Sequence, residues 1–287
     1  MTINIETTQL QIKSFEAEVF RAYQKDDATL KKLCRVRQIA GTSHQFPKYD
    51  TLAAVARIVG TPIVTSNQNT AKVEVSISRW SVATYSDIFL QNEVNFDDKE
   101  EAIYAVVSAA NRKIDQTIID ALEAQRTANP SYTNSVAKSI GGADTSLNVE
   151  KFAKIAELWD AGNVKREERH LVVHSNAYHK FTQETKVASS DYNNYQVLKT
   201  GAIPAYYGIN IHTLGNIDNE NGLTLSSNTR YNYAVQKMAL GYVENKTIQT
   251  RVDYVPGMGS DLISCFFSSG CKVIEEKGIV VVATHEA

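Results

Sequence analysis

The pattern of apolar and polar positions predicts one dominant helix near the middle of the chain. Apolar residues recur every three or four positions from Ile103 to Leu122, after an acidic stretch at 97–101. This spacing is typical of the buried face of an α-helix, and acidic side chains favour a helix N-terminus. Because Asn129 and Pro130 end the pattern, we expect a helix over about 97–126, roughly 45 Å long.

A second pattern, strict alternation, predicts a two-stranded ribbon earlier in the chain. Residues 72–78 place Val73, Val75 and Ile77 on one face, and residues 45–50 form a shorter alternating run. The alternation shifts by one near Arg79, which indicates a bulge or a change of buried face. Since a lone two-stranded ribbon is marginally stable in water, it needs a surface to rest on.

The start of the chain carries only a narrow apolar stripe. Ile12, Phe15, Val19 and Tyr23 recur at helical spacing, and polar residues fill the positions between them. This stripe is too thin to build a core alone. We therefore expect residues 1–40 to form an arm that lies on the body or on a neighbouring chain.

The remaining chain predicts a mixed α+β fold. Residues 146–244 alternate helical and strand patterns, which is typical of an α/β unit around a central sheet. Within it we expect Asn148 and Gly162 to cap a helix, residues 169–174 to form a buried strand, and Ser175 with Asn176 to cap the next helix. The last forty residues are predicted to form strands, with clear alternation at 246–254, and we expect them to pair with the strand at 70–85 and to pack on the long helix. The α/β unit is therefore predicted to be inserted into a platform built from both ends of the chain.

Composition excludes several broad classes of protein. The chain has 287 residues, 43% hydrophobic and 22% charged, with a formal net charge of −2. A globally basic nucleic-acid binder and a disordered protein are therefore excluded. The three cysteines, Cys34, Cys265 and Cys271, are too few for a disulfide framework, so we expect reduced structural thiols. The N-terminus lacks a signal-peptide pattern and the longest apolar run, near 279–283, is too short to span a membrane, so we expect a cytoplasmic protein.

Motifs for catalysis and for cofactors are missing from the sequence. The glycines at 257–259 lack the third glycine of a dinucleotide loop, and no nucleophile elbow or phosphate loop occurs. His170, His174 and His179 lie close in sequence but lack the spacing of a metal site. We predict no catalytic residues, no metal and no cofactor, and keep an α/β hydrolase only as an alternative.

The order of elements resembles the major capsid proteins of tailed bacteriophages, which have the Hong Kong 97 fold. Three stretches carry this resemblance: Gly41 to Pro47 with the return at 65–75, the spine stretch 96–120, and the segment 171–178. The resemblance is nearest to short-tailed phage shells. It implies an N-arm at 1–40, an E-loop at 41–90, a P-domain at 91–145 and 245–287, and an A-domain at 146–244.

The resemblance further implies a structural shell protein that has no enzymatic activity. Its copies would form hexamers and pentamers, assemble in the host cytoplasm as a procapsid, and enclose double-stranded DNA in the virion. The implied partners are a separate scaffolding protein and a portal, and no membrane is involved. An encapsulin-like nanocompartment shell is the alternative with the same fold.

Two sets of residues are candidate contact sites. Apolar residues of the arm and ribbon are candidate inter-subunit contacts: Phe15, Val19, Tyr23, Phe46, Tyr49, Ile58, Ile63 and Trp80. Four cations form a local basic patch and are candidate contacts on the inner surface or with an acidic partner: Lys31, Lys32, Arg35 and Arg37. A plain solvated surface is the alternative for this patch.

Overall fold

The protein is described from a computed structural model, which defines most of the chain. The described residues are 28–88 without 58, 61, 63–64 and 66–67, then 98–128, 134–184, 187, and 203–286 without 218. The helices are α1 (Asp98–Ala128), α2 (Val149–Ala161) and α3 (Ser175–Thr182). The strands are β1 (Arg35–Gln38), β2 (Ser43–Tyr49), β3 (Thr70–Ser76), β4 (Ser78–Asp87), β5 (Ser135–Val136), β6 (Arg169–His174), β7 (Ala205–Tyr206), β8 (Ile209–Leu214), β9 (Leu225–Ser226), β10 (Thr229–Gln236), β11 (Leu240–Val255), β12 (Ser260–Val273) and β13 (Ile279–His285).

A four-stranded sheet carries the long helix on one face. Its order is β1-β11-β12-β4, in which β1 runs parallel to β11 and the other pairs are antiparallel. Helix α1 lies against β12 and β4. The first core fills this layer, because Ile114 and Ile118 of α1 pack with Ile263 and Phe267 of β12. The predicted long helix is confirmed, and its 31 residues end two residues beyond the predicted end.

A second sheet forms the other half of the molecule. Its order is β5-β13-β10-β6-β8-β7, with β9 beside β10. Alternate residues of its strands face opposite cores: Val172 belongs to the first core, whereas Leu171 and Val173 belong to a second core with α2 and α3. Both faces are covered, which explains why residues 171–173 form a continuous apolar run.

Local cap residues end the helices where the sequence indicates. Asn148 accepts a hydrogen bond from the backbone N–H of Lys151 at 2.8 Å and so caps α2, and Gly162 ends that helix. Helix α3 differs from the expectation, because the capping side chain is that of His174, which accepts from the N–H of Asn176. The imidazole thus replaces the expected Ser175 and Asn176 cap.

One sequence-based expectation about strand pairing is corrected by the structure, and one open alternative is decided. The expectation that the last forty residues pair with the strand at 70–85 is wrong for β13, which lies between β5 and β10 in the seven-stranded sheet. The shift of alternation near Arg79 marks no bulge within one ladder. At Ile77 the chain leaves the ribbon and continues as β4 in the four-stranded sheet.

Candidate assembly surfaces

The foot of the ribbon is anchored on the body of its own chain. Strands β2 and β3 pair in antiparallel register, and Phe46 of β2 packs with Val75 of β3 and Val243 of β11. These three side chains are at most 1% exposed and form a small separate core. The ribbon is therefore held at one end by intramolecular apolar contacts, as its marginal stability requires.

Two glycines let the ribbon approach the four-stranded sheet closely. A Cβ atom on Gly270 would lie 2.1 Å from the carbonyl oxygen of Ser76, and one on Gly241 would lie 2.8 Å from the Phe46 ring. A salt bridge of 2.7 Å between Lys48 and Glu275 adds a polar contact at the same place. Backbone contact at Ser76 thus requires a residue without a side chain at 270.

The far end of the ribbon leaves apolar side chains uncovered. The stem closes where the N–H of Asp50 donates to the carbonyl of Asn69 at 3.1 Å. Beyond that point, Leu52 and Val55 are each 56% exposed, and Val59 is 98% exposed. Such a run of exposed apolar residues is typical of a protein interaction surface. We call residues 50–69 the ribbon tip.

The predicted inter-subunit contacts divide into four groups. Tyr49 is 64% exposed beside the ribbon tip and is available to a partner. Phe46 is buried inside its own chain, so its prediction as an inter-subunit contact is wrong. The Trp80 ring is partly buried against the first core and is covered by the ammonium of Lys113 at 4.7 Å from its centroid. The other five lie outside the described residues: Phe15, Val19, Tyr23, Ile58 and Ile63.

Further exposed apolar side chains lie at the far end of the four-stranded sheet and were missed in the sequence. Tyr85 of β4, Tyr254 of β11 and Met258 in the following turn are each more than half exposed, and Val252 is 44% exposed. The register places Tyr85 on one face of the sheet and Val252 with Tyr254 on the other, so they do not form one continuous surface. The alternation of 246–254 contained a signal for Val252 and Tyr254, which are apolar positions two residues apart on one face of β11.

The four predicted cations do lie together on the surface. Lys31 forms a salt bridge of 2.6 Å with Glu244, and its ammonium lies 5.5 Å from the Tyr242 ring centroid. The Arg35 guanidinium lies 5.4 Å from the Phe46 ring centroid. Lys32 and Arg37 are exposed. Two of the four cations therefore stabilise the fold, and two face solvent.

Histidine and cysteine side chains serve structural roles in the described part of the chain. Nδ1 of His170 lies 3.1 Å from Nε2 of His212 in β8, within hydrogen-bond distance. His174 forms a hydrogen bond with the side chain of Asn216. Burial is the main cause that lowers the pKa of His170, His174 and His212. Burial also raises the pKa of the Cys34 thiol well above its ordinary value, which disfavours the thiolate.

The described residues offer neither a metal site nor a membrane-spanning helix. They contain no group of three or more His, Cys, Asp or Glu side chains placed to hold a metal ion. No helix in the described ranges combines the length and the apolar character that crossing a membrane requires.

Comparisons with known proteins agree on one class. A family model described as phage capsid protein matches residues 7–286. The capsid structure of the cyanophage P-SCSP1u is similar with a TM-score of 0.76 and 17% identity, over 97% of this chain and 94% of that one. The capsid of cyanophage Pam1 is similar with a TM-score of 0.74 and 13% identity over the full length of both chains. The head of Helicobacter pylori bacteriophage KHP40 has a TM-score of 0.71 and 10% identity, over 99% of both chains. No curated protein sequence matches the chain.

Proposed function

The chain belongs to the phage capsid protein family and is a structural capsid protein, and we propose that its copies form hexamers and pentamers that close into an icosahedral shell. The shell would enclose double-stranded DNA in the virion after assembly in the host cytoplasm. The fold shared with phage capsid subunits supports this proposal over its full length.

The observation that carries the proposal is the ribbon tip. Its apolar side chains project from a two-stranded ribbon that is anchored at the other end, and no described residue of the same chain covers them. If each tip lies on a neighbouring copy, the same contact repeats around a ring. Heterologous contacts of this kind close rings when the rotation between copies allows it.

The domain roles follow as further parts of the proposal. Residues 1–40 and 41–90 would serve as the N-arm and the E-loop between subunits. The platform around α1 would be the P-domain, and the unit with α2 and α3 would be the A-domain near the capsomer axis. β13 is assigned to the A-domain sheet, in keeping with its pairing.

The partners are proposed on the same basis. Other copies of this chain are the main partner, and a separate scaffolding protein and a portal would take part in assembly. The near-neutral net charge of −2 fits weak and local contact with DNA. The protein is proposed to lack enzymatic activity. The family match favours this role over the encapsulin-like shell and the α/β hydrolase.

The test is removal of the ribbon tip. We would delete residues 52–69, join the strands with an Asn-Gly turn, and follow assembly by electron microscopy and analytical ultracentrifugation. The deleted chain should remain folded and soluble, and it should form no shells. Normal shells from the deleted chain would contradict the proposal.

Point variants separate contact from loop length in this experiment. The triple variant Leu52→Ser, Val55→Ser and Val59→Ser keeps the length and should also abolish shells. Its matched control is Ala53→Ser, Ala54→Ser and Ala56→Ser in the same loop, which should assemble like the wild type. Equal behaviour of the two triple variants would show that the apolar contacts do not carry assembly.

A further inference from the structure

An open cleft on the surface brings all four cations of the predicted basic patch together with residues from a distant part of the chain. Its volume is about 590 Å³. Strand β1 forms one side, and the 3₁₀ turn after β10 (Lys237–Ala239) forms the other. We call it the basic cleft, and its lining residues are Lys31, Lys32, Cys34, Arg35, Val36, Arg37, Glu168, Lys237 and Met238.

The cleft has an excess of positive charge. Five of its lining residues are cations and one is a carboxylate, Glu168, which pairs with Lys237 at 2.5 Å. Glu244, beside the cleft, neutralises Lys31. Lys32 and Arg37 make no ion pair with the other described residues, and both are exposed. The cleft therefore attracts an anionic ligand.

Apolar side chains exposed in the same cleft narrow the class of ligand. Val36 is 37% exposed and Met238 is 49% exposed, and both lie among the cations. A nucleic-acid phosphate backbone supplies anionic groups but no apolar groups that could pack against these two side chains. An acidic amphipathic protein segment offers carboxylates for the cations together with apolar side chains for Val36 and Met238. Methionine adapts its shape to such partners.

We propose that the basic cleft binds an acidic amphipathic segment of a second protein that takes part in shell assembly. The proposal rests on the proposed capsid function and names the partner chemistry of one surface. The segment's carboxylates bind Lys32 and Arg37, and its apolar face covers Val36 and Met238. Because residues 31–37 lie at the end of the predicted arm, where β1 pairs with β11, a bound segment holds the root of that arm.

Binding of designed peptides to the soluble full-length subunit tests the proposal. The probes are a helical peptide of about 14 residues, roughly 21 Å long, with Glu on one face and Leu on the other, and an all-Glu peptide of equal length. A duplex of about 20 base pairs is the third probe. Fluorescence anisotropy at a fixed, moderate salt concentration measures each affinity.

The amphipathic peptide should bind best. We expect its affinity to exceed that of the all-Glu peptide about fivefold or more, since covering two apolar side chains favours it. The double variant Lys32→Glu and Arg37→Glu should lose about tenfold or more in affinity through the reversal of two charges. Met238→Ser should lose roughly threefold to fivefold for the amphipathic peptide and nothing for the all-Glu peptide.

A matched control reverses two exposed cations outside the cleft. Lys72→Glu with Lys180→Glu carries the same change in net charge and should bind the amphipathic peptide like the wild type. Tighter binding of the duplex than of the amphipathic peptide would overturn the proposal and assign the cleft to nucleic acid. Equal affinity for the two peptides, or equal loss in both double variants, would also overturn it.

Shell assembly by the wild type distinguishes failure of the cleft proposal from failure of the proposed capsid function. Shells formed by the wild type together with failure of peptide binding would refute the cleft proposal and leave the capsid proposal intact. A wild type that binds the amphipathic peptide and forms no shells under any assembly condition would refute the capsid proposal alone.

Discussion

The backbone N–H of Leu30 donates a buried hydrogen bond of 2.9 Å to Oδ1 of Asp115, in the middle of α1. The two residues are 85 positions apart, and Asp115 is fully buried. Leu30 and Leu33 themselves pack into the first core. The segment that leads into β1 is therefore fixed to the spine helix by one charged acceptor and two leucines.

Loss of this acceptor should weaken the protein. Asp115→Ala leaves the buried N–H of Leu30 without its carboxylate, so we expect the free energy of unfolding to fall by about 2 kcal/mol. Asp120→Ala removes an exposed carboxyl group of the same helix that accepts a hydrogen bond from Gln116 at 2.7 Å, and it should cost less, about 1 kcal/mol. Denaturant unfolding of soluble subunits measures both values. Equal effects in the two variants would contradict the role assigned to Asp115.

The close contact at Gly270 should tolerate no side chain. In Gly270→Ala the new Cβ meets the backbone oxygen of Ser76, so either the ribbon or β12 must shift, at a cost of about 1–3 kcal/mol. Gly257→Ala is the control, because no atom lies within 4 Å of its Cβ position. Thermal unfolding and shell yield should both decline in the first variant only. An unchanged melting temperature in Gly270→Ala would show that the ribbon does not press on the sheet.

Lys151 joins three parts of the second half of the molecule. Its fully buried ammonium donates to the carbonyls of Thr145 at 2.7 Å, Ser146 at 2.8 Å and Ala283 at 3.0 Å. Lys151→Met leaves these carbonyls without their donor, and we expect a loss of about 3 kcal/mol in the free energy of unfolding. Lys154→Met, on the same helix, removes only a surface ion pair with Glu157 and should cost less than about 1 kcal/mol.

The same lysine should make stability depend on alkaline pH. Burial lowers the pKa of Lys151 from 10.5 to about 8. Between these values the unfolded chain binds more protons than the folded one, so this residue's contribution to stability rises with pH. The stability difference between wild type and Lys151→Met should therefore grow from pH 8 to pH 10 in denaturant titrations. A constant difference over this range would contradict the burial of a charged ammonium.

Three histidines should make the protein sensitive to mild acid. Burial is the largest cause that lowers the pKa of His170, His174 and His212. The neighbouring His212 lowers the pKa of His170 further, and Arg230 lowers the pKa of His174 further. Their unfolded forms therefore take up protons first as the pH falls through about 6.5, and stability declines below that value.

Melting temperatures between pH 7.5 and pH 5 check this expectation. His212→Asn removes one member of the pair and should reduce the decline in melting temperature over that range. His179→Asn changes an exposed histidine of α3 and should leave the decline as in the wild type. An equal decline in His212→Asn and wild type would show that the pKa values of the pair are the same in the folded and the unfolded protein.

Much of the fold was determined by local sequence pattern. The 3.6-residue period placed α1 almost to the residue, and the continuous apolar run placed β6 at Arg169–His174. Asn148 and Gly162 marked the ends of α2 because capping depends on residues within one turn of the helix. The order of these elements was also enough to suggest the capsid family.

Only the tertiary structure decided which strands share a sheet and which apolar residues remain exposed. β13 begins with the continuous apolar run 279–283, which does not say which sheet it joins, and it lies between β5 and β10 because hydrogen-bond partners come from distant parts of the chain. Phe46 and Leu52 are both apolar residues of the predicted ribbon, and the sequence does not distinguish their burial. The missing side chain at Gly241 leaves room for the Phe46 ring against the body, whereas no described residue covers Leu52. The basic cleft likewise required β1 and the turn at Lys237–Ala239 to meet in space. Periodicity fixes which way a side chain points, whereas burial and site formation depend on long-range packing that no local pattern encodes.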